Sequence, residues 1–109
     1  MELTPFEFVT STKEGVTLLA RDEPMFVQAF IPAEAIDDYF KLKDASQRER
    51  QALILSKLEA FGRIAAGKYS RGELHFRDVP GAVIALVRVS LFDIESSGYS
   101  LRDANPASL

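Results

Sequence analysis

Runs of alternating hydrophobic and polar residues occupy the first third of the chain and predict strands. Segments 6–9 and 16–20 flank the polar stretch TSTKEG, which predicts a hairpin with Gly15 in a strained backbone conformation. The next apolar segment, 25–31, has hydrophobic side chains at both odd and even positions. A strand covered on both faces shows this pattern, so we expect segment 25–31 to be an inner strand.

The apolar spacing then changes to intervals of three and four residues, which predicts two helices. The first covers AEAIDDYFKL, directly after Pro32. A capping box formed by Ser46 and Glu49 starts the second helix, which we expect to run from about Gln47 to Ala66 with Gly67 as its left-handed C-cap. Its buried face is expected to consist of Leu53, Ile54, Leu58, Phe61, Ile64 and Ala65.

The last third returns to strand-like patterns. Segment 73–78 alternates apolar with polar residues, and Pro80 and Gly81 follow it in a sequence typical of a tight turn. The most apolar run of the chain, 82–92, is rich in β-branched residues and predicts a central strand. The segment 95–109 has no sustained periodicity, so we expect an irregular or arm-like tail.

This order of elements predicts an α+β fold. We expect a mainly antiparallel sheet of four to five strands with two helices packed on one face, in the order β-β(-β)-α-α-β-β. Residues 1–94 would form a single domain and 95–109 the tail. The absence of alternating βαβ units, of a glycine-rich phosphate loop and of a Walker lysine argues against a dinucleotide or nucleotide cradle.

Composition limits the chemistry that the chain can perform. Its 109 residues, 47% of them hydrophobic, are enough for one core. A net charge of -3 gives no general attraction to nucleic acid, so any polyanion site would be a local patch. The chain has no cysteine, which excludes a disulfide scaffold and thiolate chemistry and fits a reducing compartment.

Targeting signals are not evident in the sequence. The stretch MELTPFEFVT has acidic residues where a secretory signal has basic ones. No segment approaches the roughly 20 apolar residues that span a bilayer. We therefore expect a soluble cytoplasmic protein without a membrane partner.

Three stretches carry a family resemblance: FVQAFIPAEAIDDYF, RIAAGKYSRG and VIALVRVSLFDI. Together they resemble the short bacterial proteins catalogued as domain of unknown function 1488, over roughly residues 26–94. The shared features are a strand leading into a helix start, a long helix with a KY-like end, and a final strand ending in an acidic residue. The resemblance implies a bacterial origin and a fold, and it supplies no catalytic residues.

The clearest charge asymmetry lies around the single histidine. Segment 61–90 has five basic residues against two acidic ones, whereas segment 21–49 has four against seven. A polyanion or a partner could bind this basic corner, whose candidate residues are Arg63, Lys68, Tyr69, Arg71, His75 and Arg77. Nucleic-acid binding is disfavoured, because the excess charge is small and basic residues also occur at helix C-termini for local reasons.

A second candidate site concerns two cations on the second helix. Arg50 and Lys57 fall near the apolar arc, where they could lie between this helix and the sheet and bind a small anionic ligand. The alternative is that both side chains lay their methylene groups along the sheet and keep their charges in water.

The inventory of reactive groups does not favour an enzyme. The lone His75 has no nucleophile elbow near it, and one histidine without cysteine leaves no transition-metal ligand set. We expect no cofactor, no metal and no catalytic residue. The sequence instead favours an interaction or regulatory module that acts as a homodimer, because Phe26, Phe30, Ile84, Leu86 and Phe92 exceed what two helices can cover.

Overall fold

Five strands form one sheet in this computed structural model, which describes residues 3–99 and 101. The strands are β1 (Glu7–Thr12), β2 (Gly15–Asp22), β3 (Met25–Pro32), β4 (His75–Val79) and β5 (Ala82–Arg88). Their order across the sheet is β1-β2-β3-β5-β4, and every neighbouring pair is antiparallel except β3 and β5. The expected α+β fold with a mainly antiparallel sheet is therefore confirmed.

The parallel pair results from the path of the chain between β3 and β5. After β3 the chain passes through three helices, lays β4 at the far edge, and returns through a tight turn so that β5 fills the place beside β3. Gly81 has a positive φ of 81° in this turn, as expected for the Pro80-Gly81 sequence. The most apolar strand thus becomes an inner strand.

Four helices are present among the described residues, two more than expected. They are α1 (Ala33–Phe40), α2 (Gln47–Ser56), α3 (Leu58–Ser70) and α4 (Leu91–Glu95). The capping box of Ser46 and Glu49 starts α2 as expected. No described helix has the length and apolar character needed to cross a bilayer.

The prediction of one continuous helix from Gln47 to Ala66 was wrong. The backbone leaves helical geometry at Lys57, with φ -123° and ψ 26°, so that α2 and α3 are separate. Buried Ile54 and Phe61 lie seven residues apart across this break, close to two helical turns, so apolar spacing could not reveal it. Gly67 is not a C-cap either, because α3 continues to Ser70 and the left-handed glycine is Gly72.

The strand predicted over 82–92 is shorter than expected. β5 ends at Arg88, and Ser90 caps α4 in a second capping box with Asp93. Part of the predicted irregular tail also packs on the body: Leu101 is buried and donates its N–H to the Tyr39 hydroxyl over 3.1 Å. Residues 100 and 102–109 of that tail lie outside the described residues.

The core lies between one face of the sheet and the helices. Alternate residues of the inner strands point into it, which follows from the two-residue period of a strand. The fully buried side chains of the core include Val16, Leu18, Val27, Ile31, Ile36, Ile54, Phe61, Val87, Val89 and Ile94. The described helices cover only this face, so the other face of the sheet is left open.

Gly15 offers a test of the packing between β2 and β3. A Cβ at this position would collide with the carbonyl oxygen of Ile31 and lie 2.7 Å from the Phe30 ring. We expect Gly15→Ala to lower the free energy of unfolding by about 2 kcal/mol. Gly67→Ala, in the interior of α3, should raise it by up to about 1 kcal/mol. Urea unfolding of both variants measures the difference, and equal effects would contradict the prediction.

Candidate functional site

The open face of the sheet brings aromatic and basic side chains together. Cross-strand pairing places Arg21, Phe26, Ile84 and Arg77 in one row across β2, β3, β5 and β4. A second row consists of Leu19, Gln28, Leu86 and His75, and a third of Thr17, Phe30 and Arg88. We call Arg21, Phe26, Phe30, Arg77 and Arg88 the aromatic-basic face.

Its aromatic rings lie on β3, the middle strand of the sheet. Phe26 is 38% exposed, although the alternate residues Val27 and Ala29 of the same strand are fully buried. Phe30 is half-buried, and the guanidinium carbon of Arg88 lies 5.9 Å from the centre of its ring. This distance allows a cation-π interaction and keeps Arg88 on the sheet surface.

The arginines of this face form few ion pairs with other described residues. No described residue forms an ion pair with Arg77 or Arg88, and Arg21 reaches only Glu23 over 3.8 Å, with both side chains mostly exposed. Such an exposed pair contributes little. Among the described strands, Glu7 at the β1 edge is the single acidic residue that points to this face, although Glu14 and Glu34 line a shallow depression beside Phe30 and Arg88. Arg77 therefore has no acidic partner among the described residues of this face, whereas Glu14 and Glu34 lie near Arg88.

The structure divides the predicted basic corner between two surfaces. His75 and Arg77 lie on the open face, whereas Arg63, Lys68, Tyr69 and Arg71 belong to α3 or its end. Arg63 pairs with Glu59 over 3.0 Å and Arg71 with Glu73 over 2.8 Å. The α3 group is thus locally neutralised.

Lys68 is engaged most tightly. Its ammonium group lies 2.6 Å from Asp93 Oδ2, and the two side chains are only 14% and 11% exposed. Burial alone would raise the pKa of Asp93, but hydrogen bonds from Lys68 and from the backbone and hydroxyl of Ser90 outweigh it. The pKa of Asp93 is therefore lowered, and this carboxylate ties α4 to α3.

Tyr69 has a structural partner as well. Its hydroxyl donates a 2.6 Å hydrogen bond to Asp22 Oδ2 at the end of β2. This bond, together with burial and the charge of Asp22, raises the pKa of Tyr69 to about 12. The contact fixes α3 against the sheet and leaves the phenol little freedom to act as a stacking platform.

The second predicted site is not assembled as one pocket. Arg50 forms a bidentate pair with Asp37 of α1, both bonds measuring 2.8 Å, and this pairing raises the pKa of Arg50. Lys57 lies at the break between α2 and α3. A mostly apolar cavity of about 600 Å³ is lined instead by the N-terminal segment and α3, including Phe6, Leu58 and Gly62.

The sequence indicates several residues of the aromatic-basic face but not that they lie together. Phe26 and Phe30 stand out in the sequence as surplus apolar surface and Arg88 as a polar residue on the same face, whereas Arg21 does not stand out. The signal was the two-residue alternation itself, which puts both arginines on the face opposite the core. Phe92, grouped with this surface in the sequence, lies on α4. No metal-ligating cluster occurs among the described residues.

Asp93→Asn tests the tie between α3 and α4. We expect it to lower the free energy of unfolding at pH 7 by about 2 kcal/mol, because Lys68 and Ser90 lose a charged acceptor. A lowered pKa stabilises the fold above the usual aspartate value of 3.8, and this contribution is lost as the pH falls through the lower folded-state pKa. The difference from wild type should therefore shrink in acid. Glu59→Gln, which breaks an exposed pair, should change stability by less than about 0.5 kcal/mol.

Tyr69→Phe tests the contact between α3 and β2. A raised phenol pKa stabilises the fold below the unfolded pKa near 10, and this contribution is lost as the pH rises through about 12. We expect the free energy of unfolding of wild type to exceed that of Tyr69→Phe by about 1 kcal/mol at pH 8. This difference should disappear between about pH 10 and 12. Denaturant unfolding at several pH values measures it. A constant difference, or the same pH dependence in Tyr99→Phe, would contradict the assignment.

Comparisons with known proteins supply no function, so a functional proposal rests on the geometry of the chain. No family model matches the chain, and neither a curated protein nor a solved structure was found to be significantly similar to it. Membership of the bacterial family that the sequence resembles stays a prediction.

Proposed function

We propose that the protein is a binding module that acts without catalysis and holds single-stranded nucleic acid on its aromatic-basic face. The observation that carries this proposal is the position of two phenylalanine rings on the central strand of an open sheet, with arginines beside them. Proteins that bind single strands combine aromatic platforms for the bases with cations for the phosphates. Open sheets with central aromatic residues are used for this purpose in RNA recognition.

The spacing of the rings suits an extended ligand. Phe26 and Phe30 point to the same face four residues apart on β3, which separates their Cα atoms by about 13 Å at 3.2–3.4 Å per residue. A flat base could stack on Phe26, and a second on Phe30 if Arg88 moves from the ring to a phosphate, while the backbone passes along the strand. Duplex DNA hides the faces of its bases, so we expect a preference for single strands.

The arginines are placed to hold the phosphates. Arg21 and Arg77 lie at the two ends of the row that contains Phe26, and Arg88 lies beside Phe30. The overall charge of -3 opposes nonspecific attraction, so binding would depend on this patch and would weaken with salt. The expected cytoplasmic location gives access to single-stranded RNA.

The expected homodimer remains part of the proposal, although not through the open face. Stacking two such faces would bury Arg21, Arg77 and Arg88 of both copies in one layer. Burying cations without partners is costly. We therefore place the contact between copies outside the aromatic-basic face.

Fluorescence anisotropy with a labelled 12-nucleotide oligouridine tests the nucleic-acid part. We expect binding at low salt, a log-log salt slope of about -2 from three phosphate contacts, and weaker binding of a duplex. Phe26→Ala should lose about tenfold in affinity, because base stacking on an aromatic ring contributes 1–3 kcal/mol. Arg77→Gln should weaken binding and reduce the slope by about 0.7.

Arg63→Gln is the matched control, since Arg63 is also exposed but lies on α3 beside Glu59. Its affinity should equal that of wild type. Heparin is a polyanion without bases, so its binding tests the charges of the site alone. Phe26→Ala should leave heparin binding unchanged. Lack of oligouridine binding by wild type at low salt, or equal losses in Arg63→Gln and Arg77→Gln, would overturn the proposal.

A further inference from the structure

The two edges of the sheet differ in how they are protected from pairing with another chain. The register of β1 is interrupted by an irregularity between Phe8 and Thr10, and α2 packs against this strand. The side chains of Ser11 and Gln51 are hydrogen-bonded over 2.8 Å, and Gln47 Nε2 donates to the Ser11 carbonyl oxygen over 2.7 Å. Irregularities and covering elements of this kind prevent an edge from pairing with another chain.

The opposite edge, β4, lacks these protections. Its five residues pair with β5 in continuous register, and the strand carries the charges of Arg77 and Asp78 but contains neither proline nor lysine. No described residue forms a strand pair with its outer side. Phe76 points to the helix side of the sheet, since it pairs with buried Ala85, and yet it is 65% exposed. An open edge with a large exposed ring is suited to strand pairing.

We infer that β4 pairs antiparallel with β4 of a second copy, with Phe76 on the twofold axis. This inference rests on the homodimer proposed above and is separate from nucleic-acid binding. A symmetric pair of identical strands must place one residue opposite its own copy. Phe76 then faces the partner's Phe76, and aromatic pairs directly opposite each other stabilise antiparallel strands.

The neighbouring positions also favour this register. His75 faces the partner's Arg77, and a neutral imidazole can accept a hydrogen bond from a guanidinium group. With Arg77 on the axis, two guanidinium groups would face each other and Phe76 would face the partner's Asp78. With His75 on the axis, pairing would depend on Glu73 and Leu74, which precede β4.

Pairing in this register would join the two sheets edge to edge. The axis stands perpendicular to the sheet, so both open faces lie on the same side and the Phe76 pair lies on the helix side. The aromatic-basic face of one copy would continue into that of the other across His75 and Arg77. The dimer would thus hold a longer single strand than either copy alone.

Native mass spectrometry and sedimentation test the homodimer and its contact. We expect wild type to have twice the 12.1 kDa mass of the chain. Phe76→Arg should be monomeric, with its melting temperature nearly unchanged when measured at a concentration where wild type is also monomeric, because the side chain it replaces is mostly exposed. The matched control is Phe92→Arg, at a ring that is 73% exposed on α4, and it should stay dimeric.

Disulfide crosslinking tests the register with Phe76 in place. The described residues include no cysteine, so only the introduced cysteines can form a disulfide. Residues directly opposite each other have Cα atoms about 4.5–5.5 Å apart, within the reach of a disulfide, whereas diagonal neighbours are about 7–8 Å apart. The double variant His75→Cys, Arg77→Cys should therefore crosslink into dimers, and each single variant should not.

The outcomes distinguish the proposed homodimer from the proposed register of its edge contact. A wild type that stays at the monomer mass at every concentration would overturn the homodimer and the edge contact together. A dimer that persists in Phe76→Arg, or a single cysteine variant that crosslinks, would overturn the edge register and leave the homodimer standing. Oligouridine binding can succeed or fail independently of either result.

Discussion

Strand β3 is the constraint on which the rest of the molecule depends. It pairs along its whole length with β2 on one side and from Phe26 to Phe30 with β5 on the other. Its odd-numbered residues, such as Val27 and Ala29, form the middle of the core, and its even-numbered residues, such as Phe26 and Phe30, form the middle of the open face. One strand thus specifies both the surface that the helices cover and the surface that they leave.

Charge is distributed in agreement with this division. Three cations on the helical side have close acidic partners: Lys68 has Asp93, Arg50 has Asp37 and Arg71 has Glu73. No described buried side-chain polar atom lacks a hydrogen-bond partner. The arginines of the open face have no comparable partners, although they lie among apolar side chains. The proposal of a binding surface rests on this difference between the two faces.

The sequence specified the elements better than their arrangement. Two-residue alternation and the capping box at Ser46 are local signals, and they located the strands and the start of α2. The hydrophobic periodicity does not reveal the break at Lys57, because the same side of the helical segment faces the core before and after the break. The second capping box, Ser90 with Asp93, was overlooked inside an apolar run that reads as strand. The candidate site required strand order, since Arg21 and Arg77 are far apart in sequence and share a row only through β3 and β5.

The strand order also has a consequence for the nascent chain. Synthesis delivers β1, β2 and β3 first, and the helices follow, but the inner place beside β3 is filled only by residues 82–88. Until β5 leaves the ribosome, β3 presents a long unpaired edge with apolar residues on both of its faces. Such edges are where incomplete chains associate wrongly. Residues 82–88 therefore complete the sheet, and folding to the native state becomes possible only after β5 has been synthesised.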